Sequence, residues 1–240
     1  MLPLAYVFLT VPSVPFPPAG LIPVDAQWAA MAACPRVSAG PTRVSEGPEG
    51  GGLVATAVCI GHRDGFAYLL TASHAVPDGE ARAYEFYTRE SYPKPARVLT
   101  HGEVVVRLAD PDIALIKLPE AGEPVRVLPL AGPGGRPKRF PFAGVSLGCA
   151  DGGLPRCRDE KVVEKVLVRR PGGGVAFYWR VAVPLVGGMS GGPLLGADGK
   201  VIGICSATQG GVGYCTHLDE VLYGLEQNGY GWLFRPPHGQ

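Results

Sequence analysis

The chain has 240 residues, with 22 Lys and Arg against 21 Asp and Glu and a net charge of +1. That balance leaves no electrostatic footprint for a nucleic acid or an anionic membrane surface, and the length suits one all-β domain of two packed halves or two small domains. Glycine and proline, 35 and 25 residues, make a quarter of the chain, but apolar runs separate their clusters, so they read as turns rather than disorder.

In chain order, residues 1–30 read as leader or linker. Leu2 to Val11 is apolar and about as long as the core of a signal peptide, with small residues at Ala26 to Ala33 that could supply a cleavage site. No Lys or Arg precedes it, and it is too short to span a bilayer. The expectation is export to the periplasm, cell envelope or medium, with a cytoplasmic protein as the other choice. A first strand is predicted at Cys34–Val37. Leu53–Ile60 and Phe66–Leu70 form a hairpin around the turn His62-Arg63-Asp64-Gly65, and strands follow at Ala83–Tyr87, Ala96–Leu99, Glu103–Leu108 and Ile113–Leu118. The last is apolar on both faces, as a buried strand is.

The Gly-, Pro- and Arg-rich stretch Ala121–Pro141 divides the chain. The folded domain is expected over 31–240, its first half at about 31–125 and its second at about 138–215. The second half has predicted strands at Phe142–Leu147, Lys161–Arg169, Val175–Val183, Pro193–Leu195, Val201–Ala207 and Gly213–Cys215. Thr216 and Asp219 sit as in a capping box. Leu218, Val221, Leu222 and Leu225 then give a helix stripe over about 217–227, stopped by Asn228-Gly229. Many short strands with one late helix indicate an all-β sandwich or barrel. Cys34, Cys59, Cys149, Cys157, Cys205 and Cys215 include no C-x-x-C metal pair. Their even number suits disulfides, 149 with 157 and 205 with 215 being local choices, and buried thiols are the alternative.

Gly187-Gly188-Met189-Ser190-Gly191-Gly192-Pro193 is the stretch that suggests chemistry. Small residues allow a tight turn with an exposed serine, and the N–H groups of Gly188 and Ser190 could converge on an oxyanion. A serine needs a general base, and histidine has the right proton affinity. Of His62, His74, His101, His217 and His238, only His74 ends an apolar strand away from an obvious surface turn, tail or helix cap. Asp112 borders the buried Ile113–Leu118 run, so its carboxylate can be held rigidly. Asp110 is its competitor.

Thr71-Ala72-Ser73-His74, Asp112-Ile113-Ala114-Leu115 and Gly188-Met189-Ser190-Gly191-Gly192-Pro193, in that order, resemble the three signatures of the trypsin-like (chymotrypsin-fold) serine proteases. The nearest in kind are the compact bacterial HtrA-type protease domains, here without a PDZ domain. The resemblance runs from about Cys34 to Gln227. It implies two packed six-stranded antiparallel β-barrels with a C-terminal helix and a cleft between the barrels. It implies His74, Asp112 and Ser190 as the catalytic triad, Gly188 and Ser190 as the oxyanion hole, a polypeptide substrate, and no metal or organic cofactor. An α/β-hydrolase would run Ser, acid, His along the chain.

Two departures from the family pattern matter. Met189 replaces the acid that, in digestive members, pairs with a newly cut N-terminus. The family's pocket positions match Pro184, Ser206, Ala207, Thr208, Gly213 and Tyr214. With Pro184 where a basic-specific member carries Asp, the pocket is expected to take small or medium apolar side chains. The competing expectation is a protease-like binding or scaffold domain that has lost turnover.

Overall fold

The computed structural model describes residues 20–39, 54–78, 82–170 and 174–234. The apolar stretch Leu2–Val11 lies outside them, as does His238. Among the described residues, the segment from Gly20 to Ala33 is built into the body: helix α1 (Val24–Ala32) covers the last part of the stretch read as leader or linker, and Ile22, Ala30 and Met31 are buried in the main core. The small residues considered for a cleavage site therefore fall mostly inside a packed helix.

The first half contains β1 (Arg36–Ala39), β2 (Val54–Thr56), β3 (Val58–Arg63), β4 (Phe66–Ala72), β5 (Arg82–Phe86), β6 (Arg97–Leu99), β7 (Glu103–Leu108) and β8 (Ile113–Pro119). They form two four-stranded sheets, in the orders β2-β1-β5-β6 and β3-β4-β8-β7, rather than the expected closed ring. The predicted strand Leu53–Ile60 is divided at Ala57, whose N–H turns to Pro35 O. Upstream of Ala57 the chain pairs with β1, and downstream with β4. A second crossing lies between β6 and β7, where His101 takes φ 62°. The sheets are thus joined by the chain at both edges, around a core that includes Val37, Leu69, Tyr84, Phe86 and Ile116.

The second half contains β9 (Phe142–Gly148), β10 (Arg156–Arg169), β11 (Val175–Val181), β12 (Pro193–Leu195), β13 (Val201–Gln209) and β14 (Val212–His217). It is a closed six-stranded barrel, ordered β10-β11-β14-β13-β12-β9. Strand β10 starts five residues earlier than the sequence suggests, because Arg158 and Glu160 point inward. Arg158 Nε donates to Glu160 Oε1 at 2.7 Å, and Ser146 Oγ donates to the same oxygen at 2.5 Å. A buried pair neutralised in this way is tolerated in a barrel interior.

Helix α2 (Leu218–Gln227) buries Leu218, Val221 and Leu225. Its cap is His217, whose Nδ1 accepts from Asp219 N–H at 3.0 Å. Thr216 is still in β14 and spends its hydroxyl on Pro111 O at 2.6 Å, so the predicted capping box does not form. All six cysteines are buried free thiols. Cys205 and Cys215 face each other across β13 and β14 with sulfurs 3.5 Å apart, but the expected disulfides are not made. Burial pushes Cys59, Cys149 and Cys157 up to about 12, so these thiols are unreactive packing groups. No helix among the described residues is long and apolar enough to cross a membrane.

Candidate active site

The pairing of β4 with β8 brings His74 to Asp112. Ala72 lies opposite Ile113 in that register, so the residues just after one strand and just before the other meet at the same edge. A single 3-10 turn, Ser73–Ala75, carries the histidine. Asp112 takes φ 57°, a left-handed conformation that aspartate accepts more readily than most side chains. Ser73 N–H donates to Asp112 O at 3.1 Å and closes the two turns together.

Asp112 is 2% exposed. Its Oδ2 lies 2.8 Å from His74 Nδ1, and its Oδ1 accepts the His74 backbone N–H at 3.1 Å. Ser206 Oγ donates to Oδ2 at 2.5 Å. Burial pushes the carboxyl group up, but the hydrogen bonds from the imidazole and Ser206, with the ring's charge, outweigh it and hold the group below its ordinary value. An ionised acid can only accept, which places the ring proton on Nδ1 and leaves Nε2 as the acceptor. Ser190 Oγ is 3.1 Å from that Nε2, and the side chain of His74 is 46% exposed. Asp110, the competing acid, has its carboxylate beside Gly174, away from the imidazole.

Ser190 comes from the loop between β11 and β12. Gly191 N–H donates to Cys205 O at 2.7 Å, and Cys205 N–H returns a bond to Gly192 O at 2.8 Å. Thr56, from the first half, gives its N–H to Ser190 O at 2.9 Å and its hydroxyl to Gly188 O at 2.8 Å, and accepts from Cys149 N–H at 3.0 Å. Gly188 has φ 88°, and a Cβ there would sit 2.0 Å from Cys149 O. Only glycine fits. Gly187 O accepts from Asp151 N–H at 2.7 Å. In a trans peptide the N–H points the opposite way, so Gly188 N–H is directed away from the Asp151 turn. Among the described residues neither Gly188 N–H nor Ser190 N–H has an acceptor. Two such donors beside a serine hydroxyl can hold a developing oxyanion. Met189 is 3% exposed and its sulfur accepts from Val186 N–H at 3.5 Å.

The expected pocket residues are also brought together. Ala207 pairs with Tyr214 and Thr208 with Gly213. Thr208 Oγ1 donates to Leu185 O at 2.8 Å, and the open side of Gly213 faces Val181, Leu185 and Val183 O. Pro184 O accepts from Arg158 Nη1 at 3.1 Å. Sequence reasoning took Ser206 for a pocket wall only, although its hydroxyl reaches the buried acid. It missed Thr56 and Arg158 entirely. His62 lies far from this chemistry, between Glu120 Oε2 and Val125 O at 2.8 Å each. His217 is pushed down to about 3 by burial, with Lys165 and Arg136 adding to it. It packs 4.1 Å from the ring of Trp179.

Residues 55–204 match the family model of the trypsin-like peptidase domain. The chain belongs to the trypsin-like peptidases. The peptidase is similar in fold to the active form of the Rv3671c protease from M. tuberculosis, at 19% identity and a TM-score of 0.66 over 97% of each chain. The inactive form of that protease, a serine-to-alanine mutant, aligns at 18% identity and a TM-score of 0.64, over 90% of this chain and 98% of the other. A serine-to-alanine variant of the HtrA-type protease AlgW, with a tripeptide, gives 18% and 0.62 over 88% of this chain and 62% of that one. A comparison with curated proteins finds no match in sequence. The family makes this chain a serine protease, a hydrolase acting on polypeptides.

Proposed function

We propose that Ser190, His74 and Asp112 are the catalytic triad of a serine endopeptidase working through an acyl-enzyme. The observation that carries this reading is the continuous contact from Asp112 Oδ2 through His74 to Ser190 Oγ, at 2.8 and 3.1 Å, beside two unused N–H groups. Ser190 Oγ attacks the peptide carbonyl while His74 Nε2 takes its proton. The oxyanion is received by the N–H groups of Gly188 and Ser190. The tetrahedral species collapses as His74 returns the proton to the leaving amine, and water repeats the sequence to free the acid. Asp112 keeps the ring in one tautomer and supports its charged form. The first half serves as the family's other barrel, its two sheets joined at Ala57 and at residues 100–102.

A small or medium apolar P1 side chain fits the pocket. Its base offers Pro184 rather than an acid, and the buried Arg158 beneath is matched by Glu160. A fluorophosphonate probe tests the catalytic reading. Wild-type protein is expected to label at Ser190 and Ser190→Ala not at all, with an unchanged circular dichroism spectrum. Folded wild-type protein that stays unlabelled would overturn it. A peptide-library profile tests the pocket, and dominant cleavage after Arg or Lys would refute the P1 assignment.

A further inference from the structure

The turn that carries Asp112 is gripped from the other half of the molecule by four contacts on three consecutive residues. Tyr178 Oη donates to Asp110 O at 3.2 Å, and Thr216 Oγ1 to Pro111 O at 2.6 Å. Ser206 Oγ donates to Asp112 Oδ2 at 2.5 Å. The fourth is Arg170, at the end of β10, whose Nη1 stands 3.6 Å from the same Oδ2. That separation is an ion pair rather than a hydrogen bond. The guanidinium is held in place by other groups: Nη1 donates to Tyr178 Oη at 3.1 Å and to Ser206 Oγ at 3.4 Å. Arg170 N–H donates to Gly174 O at 2.8 Å, and Gly174, lacking a Cβ, lets this hairpin lie against Asp110. Among the described residues Asp112 is the only carboxylate paired with Arg170.

We infer that Arg170 is a positioning residue that sets the pH range of catalysis by acting through Asp112. This rests on the triad assignment above. Asp112 serves two cations in turn: the fixed guanidinium, and the imidazolium that forms when His74 takes a proton. A permanent positive charge on the far side of the carboxylate weakens the negative potential at the ring, so protonating the base is harder and the base stays ready at lower pH. The other charged groups nearby do not substitute for it. Arg107 lies under the histidine turn, bonded to Ser73 O and paired with Asp78. Asp110 is turned to the hairpin at Gly174. Burial raises the Tyr178 phenol, and the contact with Cys205 together with burial raises the Cys215 thiol, so neither adds a charge.

The test is the rate of fluorophosphonate labelling of Ser190 against pH in wild type, Arg170→Gln and Arg170→Lys, which needs no knowledge of the substrate. The acid limb is expected to move up by about half a pH unit in Arg170→Gln, a loss of roughly threefold at pH 6 with little change at pH 8.5, since a quarter-exposed charge is partly screened. Arg170→Lys is expected to hold the wild-type limb. An unmoved limb in Arg170→Gln, or an equal loss at every pH, would overturn the proposal. So would unfolding of Arg170→Gln beside a native Arg170→Lys, which would mark a purely structural bridge. Failure of the triad assignment reads differently, as absence of labelling in the wild type itself.

Discussion

The two halves of this peptidase hold the proposed catalytic groups by different means. In the second half a closed six-stranded barrel presents Ser190 on a loop of glycines stitched by backbone bonds to β13. In the first half two four-stranded sheets, joined through the chain, present His74 and Asp112 at the paired ends of β4 and β8. The pair in the first half is set by strand register, with side-chain bonds finishing the alignment. The serine loop in the second half needs a backbone path open to glycine alone. Substitutions in the two halves should therefore fail in different ways.

The largest effect is expected in the half with two sheets. Asp112→Asn keeps the shape but loses control of the ring tautomer, and kcat should fall by about 10⁴-fold with the fold preserved. Steady-state kinetics with any cleaved peptide would check it. Gly188→Ala is the matching change in the barrel. The new methyl meets Cys149 O, so the loop must shift and one oxyanion donor is misplaced. A loss of about 10²–10³-fold in kcat is expected, together with a lower Tm, a combination that Asp112→Asn should not show. Thr56→Val tests the link between the halves. It leaves Gly188 O and Cys149 N–H without their hydroxyl partner, at about 1–3 kcal/mol of stability by denaturant unfolding. Activity should fall by less than the roughly 10²-fold that a misplacement of about 1 Å costs.

The smallest effect concerns the barrel alone. His217 is neutral when folded and is pushed down to about 3, whereas in the unfolded chain it protonates near pH 6.5. Between those values the unfolded state binds the extra proton, so the contribution is complete above pH 6.5 and is lost progressively as pH falls toward 3. Tm measured at pH 7 and pH 4.5 should drop less in His217→Asn, which keeps a capping side chain, than in the wild type.

The candidate site was legible because its parts are local. His74, Asp112 and Ser190 each sit at a strand end or in a glycine turn that can be seen within six residues, and their order along the chain narrowed the class. The residues that support the candidate site from behind were not legible. Thr56 looks like one more β-former inside Leu53–Ile60, and only the break at Ala57 and the approach of the other half turn it toward Gly188. Arg158 and Glu160 lie in a charged run that resembles a solvated turn. They point inward because each satisfies the other there. Helix α1 was missed for a similar reason, since its alanine-rich sequence follows a proline-rich stretch and its stability comes from contacts with the main core. Thr216 looked like a cap because the sequence does not show that β14 continues through it to His217.

Met189 and the peptide between Gly187 and Gly188 have a consequence for how the peptidase is governed. The Gly187 carbonyl is already engaged by Asp151, and the methionine side chain fills its own place under the loop. An uncharged methionine at this place offers no ion pair to a freed chain end. On the proposed reading, the loop is set by these internal contacts rather than by a new ion pair at a cut chain end.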